Sequence, residues 1–507
     1  MTLSGKSDTT AAAGIRQNRR AHIVFLLTHG FAARMIIRSG LTRRLIAQRS
    51  RVTVISPNAD ESYFREECRA EGVDLKQEPK SGGRVAHRFR AYRPYLLDDV
   101  MNNPALRANH ARRCEDRPLV GLGMELVNRT FARSSLFRRL GRAIECKINR
   151  SKKVIELLSQ LQPDLLVLPN PFGIEETVYL LHARELGIPV ACQMLSWDNI
   201  TSKGTPLLMP DFFISWGPIM TEEIGDLYRF PRDRIFECGV PHFDVYSQPG
   251  LLKPPGAMLQ ELNLPAEQPY LFYGTVSPYS CPNEIDILAW LAERVNKNAF
   301  TRPCSLVIRP HPQMISGFYS GSSAQLERLR ALSGPRIAVD FPPVLSDQLA
   351  WDLPKVDMHR LASLLAGSAM CLNSNSTLSL DACMLDRPVI NIAFDGWEDL
   401  PYQKSARRGL DWIHMAKLLA LGGIRIAKSF PDLEAHINAY LRAPGLDRRG
   451  RMLSVAQECG PRDGRAVERV ANTLLQLAHR RQCLAPSLPT CSDFSEPSQV
   501  FQPRTSS

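Results

Sequence analysis

The feature that most limits what this chain can fold into is its succession of short apolar segments, separated by amphipathic stretches of helical length. His22–Thr28 (HIVFLLT) and Arg51–Ser56 (RVTVIS) enclose a stretch that reads as a helix running to about Gln48. The alternation resumes at LLVLP (165–169) and continues through Val190–Leu195, Asp211–Trp216 and Arg234–Cys238. It returns in Tyr270–Tyr273, Ser305–Ile308, Ala369–Leu372 and Val389–Ile392. Apolar runs of this length between turn signals read as buried strands. Strand, helix, strand at this spacing requires parallel pairing with right-handed crossovers, so the class is α/β.

A chain of 507 residues is too long for a single core, and two domains sharing a cleft are expected. Tyr246–Gln268 holds four prolines and two glycines and reads as the linker. The expected organisation is a leader at 1–20, a first domain at 21–245, a linker at 246–268 and a second domain at 269–429. Closing helices follow at 430–481, and a Ser, Pro and Thr-rich tail at 482–507 reads as disordered.

Residues 84–150 interrupt the first domain as a basic, partly helical insertion with an amphipathic stretch near Ser135–Ile148. The net charge of +12 is concentrated there, and basic residues continue to Lys153. The charge suits an anionic surface. No zinc-finger spacing, RNP-like motif or heptad array accompanies it, so a membrane face is expected rather than nucleic acid, with a solvated basic face as the plain alternative. Twelve cysteines without any CxxC pair read as free thiols of a reducing compartment. No secretory signal or spanning segment is evident, so the expected location is cytoplasmic, peripheral at the inner face of the membrane.

The polar residues that end the strands are the candidate site. Ser374, Asn375, Ser376 and Thr377 follow an apolar strand and open a helix, with Asp381 one turn in. Unpaired N–H groups at such a terminus suit a phosphate, although Ser and Thr are also ordinary caps. Gly274 and Thr275 end one strand of the same domain; Arg309 and His311, in Arg-Pro-His-Pro, end another. An arginine and an imidazole there suit a diphosphate, with a surface turn as the alternative. In the first domain His29, Asp198, Lys203 and Asp244 occupy comparable places.

The segments RIFECGVPHFD, LFYGT, LVIRPHP and NSNSTLSLDACMLDRPVINIAFD resemble the two-domain GT-B glycosyltransferases. Within them the likeness is nearest to the branch with CDP-glycerol glycerophosphotransferases and surface-carbohydrate transferases. The resemblance covers roughly residues 190–400. It implies two Rossmann-like domains facing across a cleft, a nucleotide-activated donor held by the second domain, and neither a metal nor a cofactor. By the same likeness Arg309 and His311 contact the donor phosphates, Ser376 and Thr377 cap them, and Asp381 takes the ribose.

One departure stands out. The glycerophosphotransferase branch carries Trp-His-Gly-Thr-Pro-Leu-Lys, whereas this chain reads Ser196-Trp197-Asp198-Asn199 with Lys203 nearby. Asp198, if burial raises its pKa, or His29 would then be the base. The activity implied is glycosyl transfer to a saccharide or glycolipid hydroxyl in surface polysaccharide or glycolipid assembly. CDP-polyol phosphotransfer, a catalytically silent binding module and a nucleotide-sugar isomerase are the alternatives.

Overall fold

The computed structural model describes residues 20–480 except 82, 132–133, 318–320 and 347. The expected leader, apart from Arg20, and the expected tail lie outside the described residues.

Two parallel sheets form the frame. The first contains β1 (His22–Leu26), β2 (Arg51–Ser56), β3 (Asp74–Gln77), β4 (Leu165–Leu168), β5 (Val190–Gln193), β6 (Phe212–Ser215) and β7 (Ile235–Glu237), in the order β3-β2-β1-β4-β5-β6-β7. The second contains β8 (Tyr270–Gly274), β9 (Ser305–Arg309), β10 (Ile337–Val339), β11 (Met370–Asn373), β12 (Val389–Ile392) and β13 (Ile424–Ala427), in the order β10-β9-β8-β11-β12-β13. Strands β1, β4, β5, β6, β8, β9, β11 and β12 are buried along their whole length, which is why they read so clearly as apolar runs. The sequence reading missed β3, β10 and β13. Each is an edge strand, paired on one side only, and an edge need not be apolar.

Strand order reverses between β1 and β4 in the first sheet and between β8 and β11 in the second. Crevices at such reversals, beyond the carboxyl ends of the strands, are where doubly wound sheets take ligands. The loops after β1, β4, β8 and β11 therefore set the site.

The helix expected from residue 30 to Gln48 is broken into Gly30–Ala33, a π-helical turn at Arg34–Arg38, and Leu41–Ala47. The insertion is more helical than expected, forming α1 (Arg84–Leu97), α2 (Pro104–Asp116), α3 (Pro118–Phe131) and α4 (Ser135–Ile148). Buried Arg93 of α1 pairs with Glu145 of α4 at 3.3 Å and donates to the Phe172 carbonyl at 3.0 Å. Asp98, just beyond α1, accepts from the Thr205 N–H at 2.8 Å. These bonds tie the insertion to the rim of the first sheet.

Within 246–268 the chain forms the helix Pro255–Glu261. After the second sheet it returns to the first domain. There α5 (Ala466–Arg480) buries Val470, Ala471, Leu474 and Leu477 in the same core as Phe25, Leu41 and Leu45. Asp244 accepts from the N–H groups of Ala466 and Val467 at 3.0 and 2.9 Å, so it caps this helix.

A second crossing comes from the segment between β10 and the helix Lys355–Gly367. Asp352 pairs with Arg38 at 2.5 Å and accepts from Tyr63, while the Gly30 N–H donates to the Ala350 carbonyl at 2.9 Å. Leu349 is fully buried in the first domain's core. The second domain thus reaches into the first beside the cleft.

Candidate functional site

A cavity of about 660 Å³ lies between the carboxyl edges of the two sheets, within the usual size for a small-molecule site. The segment after β1 contributes Thr28, His29 and Arg34; that after β4, Asn170 and Glu176; that after β5, Ser196–Asn199 and Lys203. The second domain contributes Gly274 and Thr275, Arg309 to Gln313, Asn375 to Leu378 and Asp381, with Trp351 and His414 closing the sides. Of the sequence-derived candidates, Ser374 and Asp244 fall outside this lining. The Ser374 hydroxyl donates to the Ile392 carbonyl at 2.9 Å, and Asp244 is the cap of the returning helix.

Two histidines present the same geometry from opposite domains. His29 Nδ1 accepts from the Phe31 N–H at 3.1 Å, and His311 Nδ1 accepts from the Gln313 N–H at 3.3 Å. A neutral imidazole that accepts at Nδ1 carries its proton on Nε2, so each ring remains a donor there. Both rings meet Trp351 edge-on, at centroid separations of 5.0 and 5.1 Å. Burial pushes each pKa down to about 4, for His29 with help from the Lys203 charge, and both are neutral near pH 7. Trp351 itself sits at φ 63°, a left-handed conformation that a bulky residue adopts only when its surroundings hold it there.

Arg309 does not present a free guanidinium. It is 7% exposed and ion-paired to both Asp340 and Asp357, and Arg360 joins Asp340 at 2.7 Å. Two carboxylates take up its charge, so the expected direct pairing with a diphosphate loses its physical basis. Arg34 holds the contrasting position. It lines the cavity beside Tyr246 and Asp381, on which its charge acts, and its Nε and Nη2 are buried with no hydrogen-bond partner. Nothing in the sequence distinguished Arg34, because it falls within the π-helical turn of a segment that reads as ordinary helix.

The loop after β11 leads into the helix Leu378–Met384. The Thr377 side chain does not cap it, contrary to expectation; its Oγ1 accepts from the Trp197 indole N–H at 3.1 Å, across the domains. Ser376 Oγ accepts from the Leu378 N–H at 3.2 Å instead. Asn375 has φ 54°, a conformation a short polar side chain tolerates. Gly274 is explained by packing, since a Cβ there would collide with the Leu378 side chain. Thr275 Oγ1 accepts from the His311 N–H at 2.8 Å and so fixes the Pro-His-Pro turn. Asp381 accepts from the Tyr246 hydroxyl, which occupies one of the oxygens expected to face a ribose; burial raises its pKa against the pull of Arg34.

Asp198 accepts from Ser196 Oγ at 2.5 Å and from Ser202 Oγ at 3.0 Å. Burial alone would raise its pKa, but His414, Lys203 and the two hydroxyls outweigh it, and the pKa falls below the ordinary value. The expectation of a raised pKa is thereby overturned. Glu176 behaves oppositely: burial raises its pKa, although Thr28 Oγ1 donates to it at 2.5 Å. A Cβ on Gly173 would collide with the Glu176 carboxylate, which folds back over the start of its own helix. The Gly-Ile-Glu-Glu sequence after LLVLP was the signal that could have found this residue. Among the described residues, no three His, Cys, Asp or Glu side chains gather as a metal ion would require.

No protein-family model and no curated protein matches this sequence. Solved structures do match its fold. S. aureus MnaA, in a co-structure with UDP, superposes with a TM-score of 0.52 at 10% identity over 90% of this chain and 97% of that one. UDP-GlcNAc 2-epimerase from Neisseria meningitidis, bound to UDP-GlcNAc, gives 0.50 at 10% identity over 90% and 100%. At such identities the likeness is one of fold. Together with the two facing parallel sheets, it makes the architecture GT-B, as the sequence resemblance implied.

Proposed function

We propose that this GT-B protein binds a nucleotide-diphosphate sugar in the interdomain cavity and transfers its glycosyl group to a hydroxyl of a saccharide or glycolipid. The observation that carries this reading is Arg34. Buried charged donors left without acceptors are costly, and a diphosphate would supply oxygens in the geometry a guanidinium fork prefers. Lys203 and the Nε2–H groups of His29 and His311 add donors from three directions. In this reading Arg309 positions the His311 turn rather than touching the donor, and the Asn375–Thr377 loop meets the nucleotide.

The transfer step follows from these placements. The bond between the sugar's anomeric carbon and the diphosphate breaks, and its electron pair leaves with the nucleoside diphosphate beside Arg34 and Lys203. The acceptor oxygen bonds to that carbon, and its proton passes to Asp198, which is ionised at neutral pH. His29 acts as a donor, because its Nδ1 is committed to Phe31.

A second reading, nucleotide-sugar epimerisation, draws on two carboxyl groups of the cavity lining, Asp198 and Glu176, whose pKa values move in opposite directions as those of a base and an acid do. Thermal shift with UDP-sugars, GDP-sugars and CDP-polyols tests the common premise and separates polyol-phosphate transfer from sugar transfer. Arg34→Met should weaken donor binding by about 10- to 100-fold, as loss of a charged hydrogen bond requires. Stabilisation by none of these ligands, or equal stabilisation of Arg34→Met, would sink the reading. Deuterium uptake into the sugar from D₂O would favour epimerisation over transfer.

A further inference from the structure

The insertion carries a surface that the cavity does not use. Along α3, Leu119, Leu122 and Leu126 follow one another at helical spacing and are 85%, 62% and 68% exposed. Along α4, Leu136, Leu140 and Ile144 do the same at 71%, 52% and 42%. Phe131, at the end of α3, meets Phe137 of α4 at 4.3 Å between centroids, an apolar contact where the two helices connect. Large apolar side chains this open are normally scattered, and two such stripes on consecutive helices mark an interaction surface.

Its charge identifies the kind of partner. The only acidic residues of α3 and α4 are Glu125 and Glu145. Glu125 pairs with Arg129 at 2.5 Å, and buried Glu145 pairs with Arg93. Arg139 and Lys147 are exposed on α4, and Arg117, exposed beside Asp116, precedes α3, so the helix pair is net positive. A second copy of the chain would bring like charge against like charge. A surface with an apolar interior and anionic headgroups matches both features, since apolar side chains enter the acyl boundary while arginine and lysine stay among the headgroups.

We propose that the α3–α4 face docks on an anionic lipid bilayer as a peripheral contact. Among the described residues no helix is long and apolar enough to cross a membrane, which agrees with a helix pair lying in the interface plane. The face is mechanically joined to the cavity. Helix α1, which packs on α4 through Arg93, also places Arg90 in the cavity lining. If the transferase reading holds, docking makes the acceptor one carried on a lipid.

Vesicle flotation of the full chain tests the contact without any donor. Vesicles of phosphatidylcholine with about one-third phosphatidylglycerol should carry the protein, and pure phosphatidylcholine should carry much less. Leu136→Glu/Leu140→Glu and, separately, Arg139→Glu/Lys147→Glu should each lower partition by about tenfold or more, because each near-surface charge and each inserted side chain contributes several-fold. Both pairs are exposed, and an unchanged melting curve for each confirms intact folding. Absence of binding to the anionic vesicles, or equal binding to both compositions, overturns the proposal. So does a wild-type dimer in sedimentation that Leu136→Glu/Leu140→Glu abolishes while vesicles capture nothing; that outcome assigns the face to a protein contact. Because no nucleotide is present, failure here leaves the Arg34 experiment unaffected.

Discussion

The indole N–H of Trp197 donates to Thr377 Oγ1 at 3.1 Å, joining the end of a strand in one domain to the start of a helix in the other. Trp197 is 3% exposed, while Thr377 is half-buried at the cavity wall. Thr377→Val should destabilise the protein by about 1–3 kcal/mol by orphaning the indole N–H. Adding Trp197→Phe, which removes that donor, should cost less than the sum of the two single changes. Urea unfolding of the four proteins checks this, and strict additivity would show the pair to be uncoupled.

Arg309 sits between Asp340 and Asp357 within the second domain. Arg309→Ala should cost about 3–5 kcal/mol, because it leaves buried Asp357 without its counter-charge and Asp340 with Arg360 alone. Asp357→Asn in the same chain should recover part of that loss. Calorimetric melting distinguishes this from a direct donor contact, for which affinity would fall while the melting temperature held.

Acid should weaken the fold through the cavity histidines. His29, His311 and His414 have pKa values pushed down to about 4 by burial, against 6.5 when unfolded. Between those values the unfolded chain binds more protons than the folded one, so stability is full above about pH 6.5 and is lost as pH falls towards 4. His29→Asn and His311→Asn keep an acceptor for the capped N–H but do not titrate. Relative to wild type, each should gain about 1–3 kcal/mol between pH 7 and pH 4.5, allowing for the part of each ring that faces the cavity. Parallel stability curves would contradict the buried neutral state.

Gly30 leaves no room for a side chain, since a Cβ would collide with the backbone of Asp352. Gly30→Ala should therefore loosen the segment that crosses from the second domain, at a cost of about 1–3 kcal/mol. Limited proteolysis should find new cleavage between residues 344 and 354. An unchanged digestion pattern would show that the segment docks without this close approach.

Reading the chain without coordinates located the buried strands and the loops at their ends, because burial on both faces demands continuous apolar runs. It missed the edge strands β3, β10 and β13, where pairing on one side relaxes that demand. Placing His29, Asp198, His311 and Thr377 on one cavity required only strand direction and order of connection. It gave no warning of Trp351, which enters from a segment with no periodic pattern, nor of the chain's return to the first domain through α5.

Where strands end, and which polar groups stand there, follows from neighbours along the chain. Which cation keeps donors unpaired depends on the folded arrangement. Arg309, the conspicuous candidate, is neutralised by Asp340 and Asp357, far along the chain. Arg34, in a segment that reads as ordinary helix, lines the cavity and keeps two buried donors unpaired. Charge is cancelled by whatever lies within a few ångströms, and the fold alone chooses those neighbours.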